Sequence, residues 1–365
     1  MAACIETELG EDAPTRKGPQ VLRTVASLAL GIAVIVFVLP QVADLSSVWD
    51  QIRGMTGLEL AVLGVIAAWN LVTYWILVVL CTPGLTYPQA MVMTEAMTAV
   101  SNTVPAGGAV SIGLTYAMLE SWGFSKSRIS VSVIVSGIWN NLVKLAMPIV
   151  ALACLGLQGD ADSGRTAAAV AGLASLVAAV AVFALILRSE AFAARTGIVA
   201  GRVASRILGL VRRGPAEGWD EAVVKFRGRV VGLVRGRWLG MSVATVVGHL
   251  SLYAVLLVTL RQIGVSDHDV GWAEVLAVFA FARLLTAIPL TPGGLGVIEL
   301  ALVTGLTAAG GEKDQIVGAV LVFRLLTYVL PIPFGLVTYL FWRRNTSWLG
   351  SAPPLEAGVA EGAPA

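Results

Sequence analysis

The sequence predicts an all-α polytopic membrane protein, with about six full transmembrane helices and two helical hairpins arranged as an inverted-topology repeat. The chain of 365 residues is 57% hydrophobic and only 13% charged, with a mean hydropathy of +0.82, which is outside the range of soluble domains. Its apolar runs are long enough for spanning helices and lack the alternation of spanning strands. A proline–glycine turn interrupts two further apolar regions, and this recurrence predicts the repeat.

Six apolar segments are each long enough to cross a hydrocarbon core of about 30 Å at about 1.5 Å per residue. They are residues 21–41, 58–81, 129–157, 165–187, 237–261 and 314–341. Acidic residues precede the first segment, and no small-residue cleavage site follows it. We therefore expect a retained first helix rather than a cleaved signal peptide.

Two other apolar regions, 88–122 and 271–309, carry the proline–glycine turns at their centres. Their limbs are residues 89–104 and 107–122, then 271–290 and 294–309. A limb of about 16 residues reaches about 24 Å, which suits a re-entrant hairpin, although short paired crossings stay open. Non-helical backbone at membrane depth must be covered by protein or line a wet cavity, so we expect both turns to be buried.

A shift of 187 residues superimposes the two halves of the chain. It pairs Pro105 with Pro292, Gly107 with Gly294, Gly123 with Gly310 and Lys126 with Lys313. Each half then reads as helix, hairpin, helix, over residues 58–157 and 237–341. We divide the chain accordingly into 1–20 (N-terminal tail), 21–157 (first helix and first repeat), 158–236 (connecting helix and basic loop), 237–341 (second repeat) and 342–365 (a tail predicted to be disordered).

The distribution of Lys and Arg predicts the topology. The loop 188–236 holds ten basic residues against four acidic ones, so it is expected in the cytoplasm, with both chain termini. The first hairpin then returns to the inside at Lys126, and the second returns to the outside at Lys313. Such inversion is the architecture of alternating-access carriers, here expected in the inner (plasma) membrane of the cell.

Ionisable and amide side chains within the membrane segments are the candidate substrate-binding groups, because such residues are costly unless they are used or paired. They are Arg283, Glu299, Arg324, Lys144, Glu95, Asn102, Asn140 and Asn141. We expect Arg283 and Glu299 to lie at similar depth and to pair, either as a structural clasp or in contact with substrate. Arg324 is expected to join this pair or to bind a phosphate.

The turn residues form a second candidate set, because a helix that begins near the midplane presents free N–H groups and the positive end of its dipole. They are Pro105, Gly107, Gly108, Pro292, Gly293, Gly294 and Gly296. Such a helix start suits a phosphate headgroup, and glycine lets the ligand approach the backbone. The alternative is a tight turn with no ligand.

One motif runs from Arg283 through Pro292-Gly293-Gly294 and Gly296 to Glu299. It resembles the transmembrane, flippase-like domain of the lysylphosphatidylglycerol synthase family. The resemblance extends over residues 20–341 and implies a role in lipid translocation or close to it. Around the first turn the family often has an acidic residue and an arginine, where this chain has Ala109 and Ser111. The resemblance also implies a stand-alone membrane protein without the soluble synthase domain, and hence without synthase activity.

Together these observations predict a non-enzymatic lipid flippase for an anionic or aminoacylated phospholipid, or for a prenyl-phosphate-linked sugar. The alternative is an accessory or scaffold protein for a lipid-modifying synthase or a glycosyltransferase. Membrane lipids are the expected partners, and a homodimer stays open. No cofactor, metal site or nucleic-acid-binding pattern is predicted, because the sequence has no such motif and its basic run lies between membrane helices.

Overall fold

The computed structural model describes residues 52–104, 107–158, 163–189, 191, 219–286 and 291–352, which all belong to one compact unit. This part of the chain consists of helices and turns, without a strand. The helices are α1 (Gly57–Cys81), α2 (Tyr87–Thr103), α3 (Gly107–Ser121), α4 (Lys126–Leu157), α5 (Ser163–Arg188), α6 (Trp219–Ile263), α7 (Trp272–Leu285), α8 (Val297–Ala308), α9 (Lys313–Arg324) and α10 (Pro331–Arg344).

Four helical stretches in the described residues are long and apolar enough to cross a membrane. They are Gly57–Cys81, Lys126–Leu157, Phe226–Ile263 and Lys313–Arg344, and each contains one predicted span. The predicted span 165–187 lies within α5, where Val170–Leu185 is apolar but shorter. The predicted span 21–41, together with the tail before it, lies outside the described residues. These helices establish a polytopic helical membrane protein.

Both interrupted regions fold as pairs of short helices that pack against each other, α2 with α3 and α7 with α8. Thr86 begins α2 with a reciprocal capping box, in which its hydroxyl accepts from the N–H of Gln89 and the Gln89 side chain accepts from the N–H of Thr86. The Glu274 carboxylate accepts a hydrogen bond of 2.7 Å from the N–H of Gly271 at the start of α7. The four limbs have 17, 15, 14 and 12 residues, so none is longer than about 26 Å.

The register of 187 residues is visible in the backbone. Helices α3 and α8 end at Ser121 and Ala308, and the helices that follow them begin at Lys126 and Lys313. Gly123 and Gly310 both have a positive φ, of 94° and 118°. The next residues donate equivalent hydrogen bonds, Phe124 N–H to the Leu119 carbonyl and Gly311 N–H to the Leu306 carbonyl. Both short helices therefore end in the same glycine-dependent Schellman motif.

The halves exchange their packing partners. Helix α2 of the first hairpin packs on α10, and α7 of the second hairpin packs on α4. Gly335 permits the first contact, because a Cβ there would overlap the Glu95 carbonyl and the Ala99 side chain. Helices α1 and α6 pack together at the centre, where the Asn70 amide donates to the Gly248 carbonyl (3.0 Å) and to the Ser251 hydroxyl (2.7 Å).

The last helical stretch is continuous over 32 residues but changes its winding at Leu325–Val329, a π-helical segment. Pro331 follows at the start of α10, and its ring cannot donate to the preceding turn. Single-turn π segments are uncommon and often occur at functional sites. This segment faces the cavity described below.

Two predicted boundaries are wrong. The region 188–236 is not all loop, because α6 begins at Trp219 and runs for 45 residues without a break, while residues 192–218 lie outside the description. Residues 342–352 are ordered, although the sequence predicts a disordered tail from 342. Aromatic and backbone contacts overcome the weak local propensity: Trp348 meets Trp122 edge-on at 5.8 Å, and the Ala352 N–H donates to the Trp122 carbonyl. Residues 353–365 are outside the described part.

Candidate functional site

A cavity of about 580 Å³ lies between the two hairpins. Side chains from α1, α2, α4, α7 and α9 line it, together with the start of α3, the second turn and the π segment. Six of the lining residues belong to the turns or to their flanking helix ends: Asn102, Gly107, Gly108, Thr291, Gly293 and Gly294. The two interruptions in the apolar sequence thus meet at one space.

Arg324 holds the second turn in place. Its Nε donates to Oε1 of Glu299 at 2.5 Å, and its Nη2 donates to the Gly293 carbonyl at 3.3 Å. Its guanidinium also lies 4.3 Å from the centroid of the Tyr328 ring. Both partners of the ion pair are buried. The pair therefore ties α8, α9 and the turn together in a water-poor setting.

The predicted pairing of Arg283 with Glu299 is wrong, because Arg324 takes the place of Arg283. A hairpin considered by itself does not include α9, which packs on α8 and brings its last residue to the turn. Arg283 instead lines the cavity. Its Nε is buried and has no hydrogen-bond partner in the described part of the chain, and it forms no ion pair there.

Lys144 is the second cation of the cavity that lacks a protein partner among the described residues. It is 9% exposed and comes from the middle of α4, a helix that otherwise supplies apolar core. Its positive charge interacts repulsively with that of Arg283. Two like charges held near each other in a buried space are unfavourable unless an anion compensates them.

Glu95 supplies the carboxylate on the other hairpin. Its Oε1 accepts a hydrogen bond of 2.7 Å from the indole N–H of Trp75 on α1. Its Oε2 is buried and has no partner within the described residues, and the same holds for the hydroxyl of the adjacent Thr94. Both residues line the cavity. A buried acceptor without a donor is costly, so this wall is incomplete until a donor arrives.

Asn102 joins the first turn to the π segment. Its side-chain amide donates to the Tyr328 carbonyl (3.2 Å), and the Tyr328 hydroxyl donates to the Asn102 carbonyl (2.6 Å). Because Tyr328 also stacks on Arg324, one aromatic residue connects the two hairpins. The sequence analysis missed Tyr328, although its position one helical turn after Arg324 places both on one face.

Asn140 and Asn141 do not line the cavity. Oδ1 of Asn140 lies 3.0 Å from Nε2 of the buried His249 on α6, so it serves helix packing. The exposed Asn141 donates to the Gly137 carbonyl of its own helix (3.0 Å). Helical rotation separates these two side chains from the face that carries Lys144 into the cavity.

The turn glycines have mixed roles. A Cβ at Gly107 would lie 2.5 Å from the Ser101 carbonyl, and one at Gly293 would overlap the Tyr328 ring, so both serve protein packing. Gly108 lines the cavity with open space beside it. Gly294 lines the cavity too, but its Cβ position meets Ile298, while Gly296 has a φ of 80° and lies off the lining. Pro105 lies outside the described residues, and Pro292 begins a 3₁₀ turn.

Long apolar helices surrounding a polar cavity that two broken hairpins line define a polytopic membrane protein with an internal site for a polar group. The chain belongs to the family described as the lysylphosphatidylglycerol synthase TM region, whose sequence profile matches residues 24–335. The predicted resemblance to this family is thereby confirmed.

Individual relatives match over shorter segments. A UPF0104 membrane protein of Methanocaldococcus jannaschii is 39% identical over 64 residues, which are 18% of this chain and 27% of the relative. Phosphatidylglycerol lysyltransferases of Staphylococcus haemolyticus and Staphylococcus xylosus are 25% and 26% identical, over 29% and 30% of this chain and 12% and 13% of theirs. The matched segments thus span less than a third of each relative, and the family establishes a membrane domain connected by name with lipid.

Proposed function

We propose that this protein is a lipid flippase, which moves a lipid headgroup through the cavity between the hairpins. The observation that carries the proposal is the pair Lys144 and Arg283, two cations facing one buried cavity without a partner in the described residues. A structural role would pair them, as Glu299 pairs Arg324. Cations left open in a membrane protein mark the path of an anion.

The internal register supports an alternating-access mechanism. Equivalent helix ends recur 187 residues apart, and each hairpin packs on the last helix of the other half. With the Lys and Arg distribution of the sequence, these halves have opposite orientation in the membrane and both chain termini lie in the cytoplasm. Because each hairpin is bound to the other half, the moving bodies are hairpin α2–α3 with α10, and hairpin α7–α8 with α4.

A non-transporting accessory role is the second candidate. Helix α6 favours it, because its 45 residues exceed what a membrane crossing needs and its first half carries Lys225, Arg227, Arg229 and Arg235. An extended basic helix of this kind suits an anionic membrane surface or a partner enzyme. In that role the cavity binds lipid without moving it.

Leaflet exchange in proteoliposomes tests the proposal. The full chain is reconstituted with phospholipids labelled on the acyl chain, and dithionite quenches the label in the outer leaflet only. We expect exchange well above protein-free vesicles, falling at least about tenfold in Lys144→Gln/Arg283→Gln, since each cation is worth a charged hydrogen bond. Lys126→Gln, an exposed cation away from the cavity, is the matched control and keeps the rate. Folded wild-type protein with no exchange for any lipid would leave the accessory role.

A further inference from the structure

The polar groups left open in the cavity are of two chemical kinds. Lys144 and Arg283 are cationic donors without an acceptor among the described residues. Oε2 of Glu95 and the hydroxyl of Thr94 are buried there without a partner on α2. Every one of these four residues lines the cavity. An occupant that completes the site must therefore offer both an anionic acceptor and neutral or cationic donors.

The balance of charge limits that occupant. Arg324 and Glu299 neutralise each other, and each is bound within the protein. Two positive charges and one carboxylate then remain on the lining, which leaves one positive charge to be compensated. In a buried setting an uncompensated charge is costly, because Coulomb energies grow as the effective dielectric constant falls. A ligand with one net negative charge balances the site, whereas a zwitterion or a net cation does not.

Resting on the proposed function, we infer that the cavity selects a mono-anionic phosphodiester headgroup that carries hydroxyl groups. Its phosphate lies against Lys144 and Arg283, where the guanidinium offers paired donors to phosphate oxygens. Its hydroxyls donate to Glu95 and Thr94. A lysylated headgroup is disfavoured, since its ammonium groups add positive charge beside Lys144 and Arg283. Phosphatidylglycerol and a prenyl-phosphate sugar share the selected chemistry.

Lipid retention by the purified full chain tests this without requiring transport. The protein in mild detergent receives equal amounts of phosphatidylglycerol, phosphatidylethanolamine, lysyl-phosphatidylglycerol and a prenyl-phosphate mannose, and native mass spectrometry counts the bound species. We expect at least about tenfold greater retention of the two mono-anionic lipids than of the other two, as for loss of one charged contact. The ratio between the two mono-anionic lipids distinguishes a glycerophospholipid from a prenyl carrier.

Variants separate the cavity from general attraction of anionic lipid to a basic protein. Lys144→Gln and Arg283→Gln each lose the preference, while Lys126→Gln and Arg343→Gln, both exposed, retain it. Glu95→Gln keeps the shape but removes the negative charge, so the site then has two positive charges to compensate. In that variant, phosphatidic acid, whose phosphate approaches two negative charges near neutral pH, gains on phosphatidylglycerol. A gain of this kind does not arise from misfolding.

Equal or greater retention of lysyl-phosphatidylglycerol by the wild-type protein would overturn the inference. So would an unchanged preference in Lys144→Gln and Arg283→Gln, or an unchanged lipid order in Glu95→Gln. Failure here is distinct from failure of the proposed function. Selective retention without leaflet exchange supports the headgroup and contradicts the flippase, whereas exchange without headgroup preference does the reverse.

Discussion

At the scale of single residues, Arg324 does structural work that the sequence suggested for Arg283. It binds Glu299, the Gly293 carbonyl and the face of Tyr328 at once, so it is fully used by the protein. Arg283 is thereby left facing the cavity. Two arginines that look equivalent in an apolar sequence thus have different roles, one holding the second turn and one available to a ligand.

The Arg324–Glu299 pair gives a stability prediction. Removing one partner leaves a buried charge without compensation, so Glu299→Leu and Arg324→Met should each lower the free energy of unfolding by about 3–5 kcal/mol. The double variant removes both charges and should recover most of this loss. Thermal unfolding in detergent measures all three. Single variants as stable as the wild-type protein, or a double variant no better than the singles, would show that the pair is not the clasp described.

At the scale of helices, the sequence predicted more than it did for the site. Hydropathy placed the spans of α1, α4 and α6, and Pro-Gly interruptions located both hairpins, because these signals are local. The sequence did not reveal the contact of Asn102 with Tyr328, or that of Glu95 with Trp75. Those contacts join segments that only tertiary packing brings together. Asn140 and Asn141 failed as site residues because adjacency in sequence does not fix which face of a helix they occupy.

The packing of the first hairpin on α10 gives a prediction at this scale. A methyl group at Gly335 would overlap the Glu95 carbonyl and Ala99, and backbone cannot yield as a side chain does. Gly335→Ala should therefore lower the free energy of unfolding by about 1–3 kcal/mol. Gly113→Ala on α3 is the matched control, since nothing lies within 4 Å of its Cβ position. Alanine favours helix there, so the control should be neutral or slightly stabilising. Equal stability of the two variants would argue against close α2–α10 packing.

At the scale of the whole molecule, the account depends on two halves of opposite orientation. Lys126 and Lys313 begin equivalent helices and are both exposed, so they report the side on which each hairpin returns. In a cysteine-free background, Lys126→Cys and Lys313→Cys should react with an impermeant maleimide from opposite faces of oriented membrane vesicles, Lys126→Cys from the cytoplasmic face. Labelling of both positions from one face would rule out the inverted repeat.

The central claim is that a lipid headgroup passes through the cavity between the hairpins, and a cysteine in its wall tests this most directly. Ser101 lines the cavity and differs from cysteine by one atom. In a chain without Cys4, Cys81 and Cys154, Ser101→Cys is modified with a bulky charged thiol reagent in detergent and then reconstituted. The exposed Ser347→Cys is treated identically as the control. We predict that modification stops leaflet exchange for Ser101→Cys and leaves Ser347→Cys unaffected. Undiminished exchange by fully modified Ser101→Cys protein would contradict the account.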